Sequence, residues 1–366
     1  MNKEIGGEFE FPVSCLFKRQ VYQLDRFMPD GTRLFTSSGR DSLSLIIRVL
    51  GLTRDDEVLL PSYLCPEILR PFRDADIAVN FYRINKDLSI DLDDIAKRIT
   101  KKTKALLVIH YFGYPQPLKK LLQLSQNHSL FLIEDTVQAF LTGCDGQPLG
   151  SVGDTCFSSF RKFLPVLDGS LVLFNIKSSS VECNWSTQSL THLFYLCLRC
   201  LGMILKNVYL KTFLVPKPLF LWLFRQADEL LSRYPKPAKI SSLSQSLLHK
   251  FDFYEIVSRR RANFQHLLDN WHFKTARPLF LNLPPDVCPL GFPVIAEDRD
   301  YIKKELIHRG VYPPIHWNLP AEVDQEEYKT PWQISRHILT IPIDQRYETK
   351  DMEYILKQFE KIECEV

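Results

Sequence analysis

The sequence predicts an α/β protein, with a large and mostly parallel sheet domain followed by a smaller C-terminal α+β domain. Three observations point there. Short apolar runs of strand length alternate with helix-like stretches through the first half of the chain. Two of those runs end at residues able to do chemistry, His110 and Asp135, and such sheets bind ligands at the carboxyl ends of their strands. Lys162 then follows in the serine-rich, apolar segment Ser158-Ser159-Phe160-Arg161-Lys162-Phe163-Leu164. An acidic pair closing a strand, with a lysine downstream, fits an enzyme holding pyridoxal phosphate. The lysine would form the Schiff base and an aspartate would partner the pyridinium nitrogen.

The elements follow in order. Residues 57–60 read as a short buried strand ended by Pro61, and residues 77–82, 105–110 and 130–134 as three more. Residues 42–50 and 118–126 read as helices between them, and residues 170–175 as a further strand after Lys162. Residues 193–224 are densely apolar, with Arg199, Lys206, Lys211 and Lys217 spaced through them. Arg199 and Lys206 are seven apart and share a helical face. No uncharged stretch there is long enough to span a bilayer. The segment reads as helices packed on the domain or at a subunit interface. The sharper alternative is an interfacial membrane helix with a basic face. Pro216 and Pro218 divide it into at least two segments.

A Pro-rich link at 234–237 leads into a long helical pattern at 241–270 that carries Arg259-Arg260-Arg261, read as a solvated or salt-bridged face. Strand-like 292–295, helix-like 300–309, strand-like 339–343 and a closing helix at 350–361 complete the chain. The expected division is residues 1–235 as the large domain, with the apolar insertion at about 185–230, and residues 236–366 as the small one.

Composition narrows the classes. A chain of 366 residues, 45% hydrophobic and 24% charged, has the makeup of a soluble globular protein with a sizeable core. Its net charge of +3, from 46 basic and 43 acidic residues, gives no electrostatic case for nucleic acid. Nine scattered cysteines and an N-terminus without a signal-type apolar run predict a reduced, cytoplasmic setting. Cys197 and Cys200 form a C-x-x-C without a second pair, which reads as two core thiols, and no metal site is expected.

The candidate site is assembled residue by residue. Lys162 needs a desolvated pocket to hold its amine near neutrality, and Phe160, Phe163, Leu164 and Pro165 could supply one. Asp135 can keep a pyridine nitrogen protonated, and Gln138 can reach a ring hydroxyl if the chain turns helical there. Ser38, Gly39 and Arg40 open a helix whose free amides suit a phosphate, and Ser159 could add a hydroxyl. Tyr63, or alternatively Cys65, stands at the turn after Pro61, where a side chain could meet the cofactor's ring face.

In this order the pieces resemble the DegT/DnrJ-type (StrS-like) sugar aminotransferases, pyridoxal-phosphate enzymes of the aspartate-aminotransferase fold (fold type I). Ser38-Gly39-Arg40-Asp41-Ser42-Leu43 resembles the family's phosphate-loop helix start, and Pro61-Ser62-Tyr63 its Pro-Ser-aromatic turn. The segment from His110 to Pro115 resembles its His-x-x-Gly-x-Pro, and Glu134-Asp135-Thr136-Val137-Gln138-Ala139 its Glu-Asp-x-x-Gln-Ala. Gly150-Ser151-Val152-Gly153-Asp154 with Cys156-Phe157-Ser158 matches the lead-in to the lysine. Arg309-Gly310-Val311-Tyr312, His316-Trp317 and Ile338-Leu339-Thr340-Ile341-Pro342 resemble small-domain signatures. Three departures stand out. The lysine segment is one residue short, the usual Gly-Gly appears as Asp168-Gly169-Ser170, and the family's asparagine segment is replaced by the insertion and Lys239-Ile240-Ser241-Ser242. The retained lysine argues against the family's dehydratase branch.

The resemblance implies a cytoplasmic homodimer with pyridoxal 5'-phosphate as cofactor. It would move an amino group from an amino acid, in this family usually glutamate, to a nucleotide-linked keto sugar. Lys162 and Asp135 would be the catalytic residues. Two rival readings are a pyridoxal-phosphate enzyme with another acceptor or reaction, and a non-catalytic protein that keeps the fold and binds a partner or, through residues 193–224, a membrane.

Overall fold

The computed structural model describes residues 4–21, 23–176, 189–232 and 237–365, so the Pro-rich link lies outside the described residues up to residue 236. A seven-stranded sheet forms the base, from β1 (Thr32–Thr36), β2 (Glu57–Pro61), β3 (Ala78–Tyr82), β4 (Thr103–Ile109), β5 (Phe131–Asp135), β6 (Thr155–Phe157) and β7 (Ser170–Phe174). Its spatial order is β1-β7-β6-β5-β4-β2-β3. Only β7 runs against its neighbours; β6, β5, β4, β2 and β3 pair in parallel. The predicted parallel sheet is present, with its strands within two residues of the expected bounds. Sequence reading did not single out β1 and β6: the first is partly exposed and the second is three residues long.

The core explains the pattern. Val58, Leu59 and Leu60 are fully buried, as are Leu106, Leu107 and Val108 on the strand beside them. Strands covered on both faces cannot alternate polar with apolar, which is why they read as continuous apolar runs. Helices α1 (Gly39–Val49), α2 (Leu69–Asp74), α3 (Leu92–Arg98) and α4 (Leu118–Asn127) supply the crossovers.

Beyond the sheet come α5 (Leu190–Thr212) and α6 (Lys217–Ser232), a helical hairpin that breaks where Pro216 and Pro218 predict. Next are α7 (Ser242–Leu248) and α8 (Phe253–Asp269), two helices where the sequence pattern reads as one. Ile240, Leu247 and Phe251 pack with Phe160 and Phe163, against the first sheet. A three-stranded antiparallel sheet follows, from β8 (Ala276–Pro278), β9 (Phe292–Ala296) and β10 (Ile338–Ile341). Helices α9 (Arg299–His308), α10 (Lys329–His337) and α11 (Thr349–Glu365) complete this part.

Two surface expectations are corrected. Arg260 is buried, not solvated: it donates to the carbonyls of Pro289 and Leu290 and lies 4.7 Å over the Phe163 ring. A guanidinium fits there because carbonyls and an aromatic face replace its water. Cys197 is exposed and Cys200 half-buried, so they are not a pair of core thiols.

Gly169 carries the turn between the lysine segment and β7. Its φ is +126°, and a Cβ there would lie 2.6 Å from Ile240 and 2.9 Å from Phe160. Its N–H donates to the Ser37 carbonyl at 2.7 Å, joining this turn to the start of α1. Gly169→Ala is expected to cost about 2–3 kcal/mol through strain and overpacking, seen as a lower urea midpoint at unchanged slope. An unchanged midpoint would refute this account of the turn.

Candidate active site

Strand pleating assigns the roles of the two acids that end β5. Neighbouring side chains on a strand point to opposite faces. Glu134 turns into the protein, where it accepts from the N–H groups of Val152 at 3.0 Å and Gly153 at 2.5 Å. It also meets His110 Nε2 at 3.0 Å. His110 Nδ1 accepts from the Gln116 N–H, so the ring proton sits on Nε2 and is donated to Glu134. Asp135 faces the other way, into a cavity of about 230 Å³ at the carboxyl ends of the strands.

Eight of the ten predicted site residues line that cavity: Ser38, Gly39, Arg40, Cys65, Asp135, Gln138, Ser159 and Lys162. They come from α1, the β2 turn, β5 and the lysine segment, which only the sheet brings together. His110 and Tyr63 do not line it. His110 is fully buried in the Glu134 network, a positioning role. The ring-face expectation for Tyr63 is corrected in the same way. Its side chain is fully buried, and its hydroxyl donates to the His316 carbonyl. Cys65, the alternative at that turn, does reach the cavity, and burial pushes its thiol pKa up.

The aromatic in the wall is Trp317, from the C-terminal part of the chain. Its ring centroid is 5.6 Å from that of Tyr63 and 6.2 Å from that of Tyr111, so two buried tyrosines back it. Trp317 belongs to the His316-Trp317 signature, but no local signal marks it as reaching a cavity whose other walls lie more than 150 residues upstream in the chain. Glu67 is a second addition, paired with Arg40 at 2.5 Å. Arg40 also donates to the Leu231 carbonyl at 3.0 Å, tying the cavity rim to α6.

The polar atoms in the cavity are poised for a ligand. Gln138 Oε1 accepts from the Phe112 N–H at 2.9 Å, while its Nε2 is buried without a partner among the described residues. An unsatisfied buried donor is costly, and a ligand acceptor would relieve it. Among the described residues the Asp135 carboxylate accepts from the Val137 N–H, at 2.8 Å, and from no other donor. Burial pushes its pKa up to about 7, against the pull of that N–H and of Lys162. A cationic N–H from a ligand would stabilise the carboxylate. The Ser38 side chain caps α1 and accepts from the Asp41 N–H, leaving the first turn's dipole end at the cavity.

The expected apolar shell around Lys162 is not found. Phe160, Phe163 and Leu164 turn into the core, whereas Lys162 is exposed at the junction of the cavity with a second groove of about 460 Å³. That groove also contains Arg161, Lys303, Tyr312 and His316. Burial, with Lys162 adding to it, depresses the His316 pKa to about 3. The departure at Ser170 has a structural account: its hydroxyl lies 2.7 Å from Ser42 Oγ and donates to the Ser158 carbonyl, linking α1 to the lysine segment.

Comparison with known proteins bears out the resemblance. The model of the DegT/DnrJ/EryC1/StrS aminotransferase family matches residues 22–182. The GDP-perosamine synthase of Vibrio cholerae is 30% identical over 142 residues, 38% of this chain and 39% of that protein. A UDP-N-acetyl-3-dehydro-α-D-glucosamine 3-aminotransferase of Acidithiobacillus ferrooxidans is 34% identical over 134 residues, 34% of each chain. The chain thus spans only about a third to two-fifths of the curated relatives it matches. The fold matches over the whole length. A putative sugar aminotransferase from Streptococcus pneumoniae superposes with a TM-score of 0.73 at 16% identity, covering 100% of this chain and 98% of that one. That protein has also been solved in a PLP form and a PMP form. The fold is therefore fold type I, as the resemblance implies.

Asp135 gives a pH prediction for the ligand-free protein. Its folded pKa of about 7 exceeds the ordinary 3.8, so the folded protein binds this proton more tightly than the unfolded chain. The resulting stability is present below about pH 4 and is lost as pH rises through about 7. His316 runs the opposite way: its contribution is present above 6.5 and lost as pH falls through about 3. Comparison with Asp135→Asn isolates the first. The variant should be more stable than wild type at pH 8, by roughly 2–4 kcal/mol, with the difference shrinking toward pH 4. Urea titrations at several pH values would show it, and a pH-independent difference would count against it.

Proposed function

We propose that the chain is a pyridoxal-phosphate-dependent aminotransferase acting on a keto sugar, most simply a nucleotide-linked one. The observation that carries this is the convergence of Asp135, Lys162 and the Gln138 Nε2, unpartnered among the described residues, on one cavity beside the N-terminus of α1. The match to the aminotransferase family and the named activities of the relatives support it. The donor would be an amino acid, by resemblance glutamate, and the working unit a cytoplasmic homodimer.

The residues present fit the cofactor. Asp135 would face the ring nitrogen, Gln138 Nε2 the ring hydroxyl, and the α1 terminus with Ser38, Gly39 and Ser159 the phosphate. When bound, pyridoxal phosphate supplies an electron sink for the carbon that loses its proton. Trp317 would cover one side of the cavity and exclude water from the ring. Lys162 Nζ would take the donor's α-proton and return it as general base and acid, from its place between cavity and groove. The groove's cationic edge, with Arg161 and Lys303, suits the phosphates of a sugar nucleotide.

The protein incubated with pyridoxal phosphate and desalted is expected to show a visible Schiff-base absorbance that Lys162→Ala lacks. Asp135→Ala should keep the fold but lose turnover by at least about 10²-fold, measured as 2-oxo acid released from the amino donor. No band in folded wild type would overturn the cofactor reading. A band without any 2-oxo acid would leave the cofactor and remove the aminotransferase activity.

A further inference from the structure

Helix α5 presents its polarity inside out. His192, Arg199 and Lys206 recur every seven residues and so form one stripe, as the sequence indicates, but that stripe faces the protein. His192 Nε2 lies 3.2 Å from Asp168, Arg199 Nη2 lies 2.6 Å from Glu8, and Lys206 donates to the Glu8 carbonyl. The basic face that the alternative reading would turn to a membrane is instead the helix's attachment, as packing on the domain requires.

The opposite stripe is apolar and open. Leu190, Phe194, Leu201 and Ile204 are exposed, Phe194 at 65%. Only 28% of the helix's most apolar stretch is buried, which sets it apart from a core helix, and by length and composition α5 could cross a bilayer. The exposure continues around the hairpin turn at Phe213 and Leu214, the latter 82% exposed, and along α6 at Leu219 and Trp222, whereas Leu221 turns into the groove that holds Lys162. A face of this kind needs an occupant.

Charge decides which occupant fits best. From residue 190 to residue 227 the sequence has no aspartate or glutamate, while Lys211 and Arg225 are exposed at the rim. Nearby, exposed Lys18 and Arg19 flank Phe17, and Lys18 shares a groove with Lys211. Acids do lie close by, Asp228 and Glu229 at the end of α6 and Glu10, Asp252 and Glu255 in the Lys18 groove, but Asp228 is already paired with Arg161. A second copy would still set the Lys18, Arg19, Lys211 and Arg225 rims against each other, which repels. A helix–helix seam would also carry charged flanks, whereas Leu193, Leu198, Cys200, Leu205 and Asn207 beside the stripe are uncharged. A broad apolar arc with aromatic residues and a cationic rim matches the interface of an anionic bilayer.

We propose that the outer face of the α5–α6 hairpin docks the protein onto a membrane surface containing anionic lipid, with α5 lying in the plane. Crossing the bilayer would strip Arg199 and Lys206 from Glu8 and leave buried charges unpaired. Docking by the outer face leaves those contacts and the Lys162 cavity as they are. The inference is independent of the proposed reaction.

Flotation of the full chain tests it, with phosphatidylcholine vesicles and with vesicles of phosphatidylcholine and phosphatidylglycerol. Binding to the anionic vesicles is expected to exceed binding to neutral ones by at least about tenfold at low salt and to weaken as salt rises. Phe194→Glu with Leu201→Glu should lower it about tenfold or more. Lys211→Glu with Arg225→Glu, which leaves the apolar face intact, should remove the preference for anionic lipid. Circular dichroism checks that each variant is folded. Wild type that floats with neither vesicle overturns the proposal. So does a stable oligomer that Phe194→Glu with Leu201→Glu dissociates while vesicle binding is absent, which would assign the face to a second copy. Equal binding to both vesicle types would overturn the anionic part.

Discussion

The two-residue period of β5 is the constraint on which the site depends. One strand end delivers two carboxylates to opposite faces, and each organises a different half of the structure. Glu134 holds the turn at Val152 and Gly153 and orients His110, which in turn receives the Gln116 N–H. The Asp135 carboxylate is left, among the described residues, with the Val137 N–H and a cavity. A register slip of one residue would exchange these roles, placing the structural acid in the site and the site acid in the core.

That division also shows how far the site could be read from the sequence. The strands were legible because burial on both faces leaves an unbroken apolar run, and the loop before α1 because glycine and serine stand at a helix start. What motif spacing could not supply was direction. His110 and Tyr63 sit where their motifs place them, yet both point away from the cavity into hydrogen bonds that hold its walls. Trp317 escaped notice for the complementary reason: its partners Tyr63 and Tyr111 are more than 200 residues away in the chain, and only tertiary packing reveals the contact. The phenylalanines around Lys162 misled similarly, because an apolar neighbour in sequence can belong to the core below the side chain it accompanies.

The departures from the family pattern form one connected patch. Ser170 joins α1 to the lysine segment, and Asp168 accepts from the Ser241 backbone and hydroxyl while meeting His192 on the inserted hairpin. Arg161, next to Lys162, donates to Tyr195 and Asp228 on the same hairpin. The insertion is thus wired to the lysine segment from both sides, with its apolar surface turned outward.

The N-terminal segment has a consequence of its own. Glu4 binds Lys217 and Tyr209, Glu8 holds Arg199 and Lys206, Phe11 accepts from Asn207, and Ile5 pairs with Val311 beside the second sheet. Arg346 reaches the Gly7 and Glu8 carbonyls from the far end of the chain. Eight residues therefore act as a buckle between the hairpin and the C-terminal sheet. The buckle and α5 should exchange amide hydrogens as one cooperative unit, opening together well before the seven-stranded sheet does.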